Sequence, residues 1–125
     1  MTISLMCAYP QIFKTGVAGG PVIDWNWYEV MYGERYMETA ASNPEGFAQT
    51  SLLSKASSLQ GRLLVIQGLM DETVVPLHAL SFIQRCIKEG RQVDFFPYPE
   101  EPHNVRRADR GHLNEKITLY FCDFL

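Results

Sequence analysis

Two titratable side chains fall where an apolar run hands over to a loop: Asp71, in "QGLMDETVVP" after "RLLVI", and His103, in "YPEEPHNV" after "QVDFF". They lie 32 residues apart, room for one helix and one strand, so the tips of neighbouring parallel strands could carry both. A carboxylate hydrogen-bonded to an imidazole fixes the ring's tautomer and steadies the imidazolium formed when the ring takes a proton from a nucleophile. Asp71 could equally cap the helix that follows, and spacing alone leaves both readings open. His103 taken by itself reads as a surface loop residue. His78 and His112 fall on predicted helices, where solvated or packing roles are expected.

A hydroxyl nucleophile for such a pair sits in a strained strand-to-helix elbow, G-x-S-x-G, among backbone N–H groups that receive an oxyanion. The sequence contains no such motif, and its serines lack flanking glycines. Hydrolases built on that elbow run Ser, Asp, His along the chain. The expectation is therefore a nucleophile upstream of Asp71 and before Met1. "MTISLMCAYP" agrees with this, being apolar from its start and reading like the interior of a helix.

The elements that must position the pair follow from periodicity. "TGVAGGPVI" is short, apolar and rich in small residues, as a fully buried strand ending in a Gly-Gly loop would be. "DWNWYEVMYGERYM" has Trp25, Tyr28 and Tyr32 at helical spacing, with Asp24 as its N-cap. "NPEGFAQTSLLSKASSL" predicts one or two short helices, and Arg62 to Gln67 a second buried strand. Pro76 to Glu89 carries Leu77, Leu80, Ile83 and Ile87 on one face and stops at Gly90, the start-Pro, end-Gly asymmetry of a helix. "QVDFFPYP" is a third strand. Leu113, Ile117, Tyr120, Phe121 and Phe124 form the stripe of a closing helix that packs on the sheet. Strands alternating with helices predict an α/β fold with a parallel sheet of about three strands flanked by helices.

Composition narrows the function classes. The chain has 125 residues, 46% of them hydrophobic, which suits one compact domain or a piece of a larger one. Its net charge of −3, with Lys and Arg scattered, offers no basic patch for nucleic acid or an anionic membrane. Apolar runs fall far short of the roughly 20 residues that cross a bilayer. Cys7, Cys86 and Cys122 are too few and too irregular for a disulfide framework or a metal cluster, and read mostly as buried small hydrophobes. No metal or other cofactor is expected.

Beyond these residue-level readings, the chain resembles the C-terminal part of the catalytic α/β-hydrolase domain of the prolyl oligopeptidase family of serine peptidases, within its dipeptidyl peptidase IV branch. Four segments carry the resemblance: the opening "MT", "DWNWYEVMYGERYM", "QGLMDETVV" and "PHNV". It implies that Asp71 and His103 are the triad acid and base. It also implies that Val22, Trp25, Tyr28, Tyr32 and Val74 line the pocket for the residue preceding the scissile bond, Pro or Ala. An aromatic box suits a compact ring, whose burial is worth roughly 2 kcal/mol; neighbours differing by one methylene differ by only about 1–3 kcal/mol, so Ala is tolerated beside Pro. Without the resemblance these aromatics read as plain core.

Residues 1–125 are then expected to be a C-terminal catalytic-domain fragment lacking the nucleophile elbow and the β-propeller whose glutamates hold the substrate's amino terminus. The expected activity of the whole protein is release of N-terminal dipeptides through an acyl-enzyme, with peptide substrates and a periplasmic or secreted setting favoured by the resemblance. The chain by itself is expected to be inert. Other readings are an acylaminoacyl peptidase, an endopeptidase or an esterase of the same fold, or a non-catalytic interaction module. A truncated sheet exposes a strand edge and apolar surface, which predicts a homo-oligomer. Two positions depart from the branch's pattern: Thr73 replaces an Asn that touches substrate carbonyls, and Thr15 replaces a disulfide cysteine, so Cys122 is not expected to be bonded by that route.

Overall fold

Leu63, Leu64, Val65 and Ile66 run through the middle of the molecule, and the run is apolar because both of its faces are covered. The computed structural model describes the backbone of residues 1–125 and all side chains but that of Arg107. Along the chain the elements are α1 (Thr2–Ala8), β1 (Thr15–Gly19), a 3-10 turn (Trp25–Trp27), α2 (Val30–Met37), α3 (Pro44–Thr50), a second 3-10 turn (Leu53–Ser58), β2 (Arg62–Gly68), α4 (Leu77–Lys88), β3 (Asp94–Tyr98) and α5 (Arg107–Phe124). The three strands pair in parallel in the order β1-β2-β3, with Ala18 beside Val65 and Ile66 beside Phe96. The α/β class and the three-stranded parallel sheet are as the periodicity predicts.

Strand alternation divides the core in two. Leu63 and Val65 of β2 join Ile3 and Met6 of α1, Phe82 of α4 and Leu59 in one cluster. Leu64 and Ile66 join Tyr98 with Leu113 and Tyr120 of α5 in the other. α5 thus closes the sheet with the predicted stripe, although Phe124 at its end is 38% exposed.

Three expectations need correction. β1 is not fully buried: Gly16 and Ala18 point into the core while Gly19 is exposed, because β1 is an edge strand. The core face of α4 is not the stripe of Leu77, Leu80, Ile83 and Ile87. His78, Ala79, Phe82 and Cys86 are buried, while Leu77 and Leu80 are each 51% exposed and Ile87 63%. Both stripes have helical spacing, and the sheet selects the one whose Phe82 fills the first cluster. The segment 24–37 is not one helix. Asp24 caps as predicted, accepting from the Asn26 N–H at 2.9 Å, but what it caps is a 3-10 turn closed by the Trp27 N–H on the Asp24 carbonyl at 3.2 Å, and Tyr28 is extended before α2 begins.

Other local rules hold. Asn43 caps α3 by accepting from the Gly46 N–H at 3.1 Å, with Pro44 in the first turn. Gly90, at φ +68°, turns the chain away from α4. Cys7 and Cys86 are buried, whereas Cys122 is exposed, and all three are free thiols. Among the described residues no helix is long and apolar enough to cross a membrane.

Candidate active site

The loops after β2 and β3 are zipped together by backbone before any side chain is considered. Leu69 N–H donates to the Tyr98 carbonyl at 2.9 Å, and Met70 N–H to the Glu101 carbonyl at 3.1 Å. Gly68 makes this possible: a Cβ there would collide with the carbonyl oxygens of Pro102 and Glu101. The zip delivers Asp71 and His103 to one place, and the imidazole Nδ1 lies 2.7 Å from Asp71 Oδ2.

Asp71 is held on all sides. Oδ1 accepts from the N–H groups of Thr73 at 2.9 Å and Val74 at 2.8 Å, while Oδ2 accepts from Gln67 Nε2 at 3.2 Å as well as from His103. Its side chain is wholly buried, and that of His103 is 36% exposed. The helix-cap alternative does not hold, since Asp71 closes a turn and α4 is capped by Pro76. With the carboxylate as acceptor, His103 Nδ1 carries the hydrogen and Nε2 the lone pair, the tautomer a general base needs. Among the described residues no serine hydroxyl hydrogen-bonds His103.

Gly20 allows the ring its place. It follows β1 at φ +48°, and a Cβ on it would stand 2.8 Å from His103 Cε1 and 3.4 Å from Asp71 Oδ2. On one side of Gly20 lies a hollow of about 350 Å³ reached by His103 and Arg110. On the other lies a cavity of about 530 Å³ reached by Val22, Trp25 and Thr2. The two hollows share Val17, Gly19 and Gly20 in their walls, so the end of β1 lies between the imidazole and the first of the predicted pocket residues.

The aromatic residues form a cluster. Trp25 and Tyr28 pack edge to face at 5.2 Å, Trp25 and Tyr32 stack at 6.2 Å, and Tyr28 meets Tyr32 at 5.6 Å. Val22 shares the larger cavity with Trp25. Val74 is buried on the acid loop, where its N–H supports Asp71, and it does not line that cavity. Thr73 also serves through its backbone, its side chain being exposed.

Sequence reasoning missed Gln67 and the importance of His78. Gln67 Nε2 faces three acceptors, namely Asp71 Oδ2, the Gly68 carbonyl and the Val74 carbonyl. Its one available signal was a polar residue ending an otherwise apolar strand. His78 is wholly buried, with Nδ1 accepting from the Ile23 N–H at 3.0 Å. Burial pushes its imidazole below the ordinary value of 6.5, outweighing the Trp27 backbone and the Asp24 and Asp71 carboxylates, which act the other way. Burial also opposes the charge on Asp24, but hydrogen bonds from Ser51 and Asn26, with His78 nearby, overcome it and hold that carboxyl below its usual range.

A pH dependence follows for His78. The unfolded chain takes up a proton as pH falls through about 6.5, while the folded chain refuses it until lower pH, so stability is complete above 6.5 and declines below it. The slope approaches about 1.4 kcal/mol per pH unit within that window. Denaturant unfolding at pH 7.5 and 5.5 should show the decline, and His78→Asn should flatten it; an unchanged slope in the variant would contradict the assignment.

Comparison with known proteins matches the whole chain to one family. A model of the prolyl oligopeptidase family, Peptidase_S9, matches residues 1–125. Human dipeptidyl peptidase 8 is 32% identical over 124 residues, which are 95% of this chain and 14% of that protein. Dipeptidyl-aminopeptidase B of Aspergillus niger is 37% identical over 97 residues, 76% of this chain and 11% of that protein. Among solved structures, a Bacteroides ovatus protein assigned as a dipeptidyl aminopeptidase IV superposes with a TM-score of 0.99 at 54% identity, covering 100% of this chain and 18% of that one. Porphyromonas gingivalis dipeptidyl peptidase 4 gives 0.95 at 31% identity, covering 98% and 18%. The chain therefore spans less than a fifth of the relatives it matches, and with its three parallel strands, its buried acid and its family match, it belongs to the prolyl oligopeptidase family of peptidases.

Proposed function

We propose that these 125 residues are the C-terminal part of the catalytic domain of a serine-type dipeptidyl peptidase that releases N-terminal dipeptides after Pro or Ala. The observation that carries this reading is the 2.7 Å bond between His103 Nδ1 and a buried Asp71 at adjoining strand tips, beside a cluster of aromatic rings. His103 Nε2 takes the proton of a serine hydroxyl supplied by the rest of the protein as that oxygen attacks the peptide carbonyl. The imidazolium then gives its proton to the leaving amine, and an acyl-enzyme is left for water to hydrolyse with the same base. Asp71 keeps Nδ1 protonated throughout and offsets the positive charge. Val22, Trp25, Tyr28, Tyr32 and Val74 receive the Pro or Ala side chain.

In this reading the nucleophile elbow, the oxyanion donors and the amino-terminus clamp lie outside the 125 residues, and the chain by itself is inert. The chain self-associates as a homo-oligomer, a reading supported by the open edge of β1 and by the exposed Leu77, Leu80 and Ile87 on α4.

The test has two arms. A fluorophosphonate probe labels the full-length protein and leaves the isolated chain unlabelled; labelling of the chain would overturn the inertness. The full-length protein cleaves free Ala-Pro substrates and not their N-acetylated forms, and equal rates on both would replace the dipeptidyl reading with an endo-acting or acylaminoacyl one.

A further inference from the structure

The segment that carries the aromatic cluster leaves the sheet after Gly20, whose N–H donates to the Ile66 carbonyl at 2.9 Å. β1 ends at Gly19 and α2 begins at Val30, and between them the chain makes only a three-residue turn. Its fixed point is the Ile23–Asp24 peptide. Ile23 is 1% exposed, and its carbonyl accepts from the Leu52 N–H at 2.9 Å. Its N–H donates to His78 Nδ1 at 3.0 Å, with the Asp24 N–H at 3.4 Å from the same nitrogen. Asp24 in turn takes hydrogen bonds from Asn26 and, at 2.7 Å, from Ser51 Oγ. The His78 ring lies edge-on to Trp27 at 5.6 Å, and its Nε2 makes no hydrogen bond among the described residues.

We infer that His78 is the positioning residue for the aromatic cluster, and through it a determinant of affinity for the residue preceding the scissile bond. This rests on the peptidase reading. The geometry is specific. The Nδ1 lone pair is the acceptor for two consecutive backbone N–H groups immediately before Trp25. An apolar side chain of similar size would leave both donors buried without a partner. His78 also belongs to the helix that follows the acid loop, so the short stretch from Asp71 to His78 carries the triad acid at one end and the anchor of the aromatic cluster at the other. The carboxylate and the specificity pocket are thereby placed relative to each other by one piece of backbone. A residue that merely fills space would do none of this: replacing it would lower the amount of folded enzyme and leave the pocket of each surviving molecule intact.

The two roles separate in steady-state kinetics. In the full-length protein, with active sites titrated by fluorophosphonate, His78→Leu should raise KM for Ala-Pro and Ala-Ala substrates about tenfold or more, as expected for pocket walls loosened by two orphaned donors. Turnover per titrated site should stay within about threefold, because nothing at the reacting atoms changes. His78→Asn, whose Oδ1 can take the place of Nδ1, should bring KM back to within about threefold of the parent. Should Leu abolish folding, His78→Gln, whose longer amide overshoots the Ile23 N–H, takes its place. A His78→Leu enzyme with unchanged KM and only fewer titratable sites overturns the inference, as does failure of Asn to restore KM. If the parent does not cleave these substrates, the peptidase reading fails instead, and hydrogen exchange still tests the anchor: the Ile23 and Asp24 amides should exchange at least about tenfold faster in His78→Leu and at the parental rate in His78→Asn.

Discussion

Asp71→Asn in the full-length peptidase is expected to lower kcat about ten-thousand-fold with little change in KM, the size of loss seen when a triad acid becomes its amide. The reason is visible in the donor count around this side chain. Four N–H groups converge on two oxygens: those of Thr73 and Val74 on Oδ1, and those of Gln67 and His103 on Oδ2. An amide has one acceptor oxygen and two hydrogens of its own. If its oxygen keeps the two backbone donors, its NH2 faces His103 Nδ1, which must then accept; the proton moves to Nε2, and the base is lost. If the amide turns round, the NH2 confronts the backbone N–H groups of Thr73 and Val74. Both orientations fail, and the shape of the site changes little in the first, so substrate affinity survives. Measuring kcat and KM on an Ala-Pro substrate checks this, and near-parental turnover would remove Asp71 from the triad.

Gly68→Ala is expected to cost at least about a hundredfold in kcat without touching an ionisable group, since a displacement on the order of 1 Å at a catalytic group is worth that much. The added methyl would meet the backbone oxygens of Glu101 and Pro102 and come within 3.0 Å of the Glu101 carbonyl carbon. Backbone cannot rotate away as a side-chain tip can. The loop after β3 must therefore move off the loop after β2, breaking the bonds from Leu69 to Tyr98 and from Met70 to Glu101 that hold His103 over Asp71. Because the aromatic cluster hangs from α4 and not from this loop, KM should change less than kcat. A Gly68→Ala enzyme with parental kcat would mean that the zip is dispensable for the pair's alignment.

Much of this architecture was legible before any coordinates. β2 could be recognised because four apolar residues in succession, Leu63 to Ile66, are tolerated only where a strand is covered on both faces, and the structure divides them between the two clusters. The α3 and α4 boundaries followed from Asn43-Pro44 and from Pro76 and Gly90, whose backbone preferences act locally. α4 itself shows where such reasoning stops. Leu77, Leu80 and Ile87 lie on one stripe and His78, Phe82 and Cys86 on another, so a periodicity count finds a helix and picks the wrong face. The larger apolar stripe remains half exposed, and the buried one includes a histidine that hydropathy would place in water.

The sequence by itself determined the order of strands and helices and the presence of Asp71 and His103 in loops at strand ends, because turn chemistry and hydrophobic period act over a few residues. The four resembling segments added the peptidase family and the residues proposed for the pocket. Only the tertiary structure decided that Asp71 and His103 touch, that Gln67 shares the carboxylate, that Gly20 and Gly68 leave room for the pair, and that His78 holds the chain leading into the aromatic cluster. Most of these depend on groups far apart in sequence meeting within about 3 Å, the range in which a hydrogen bond is made or lost. No local pattern encodes such a meeting, since strand pairing and the packing of α4 against the sheet bring the partners together.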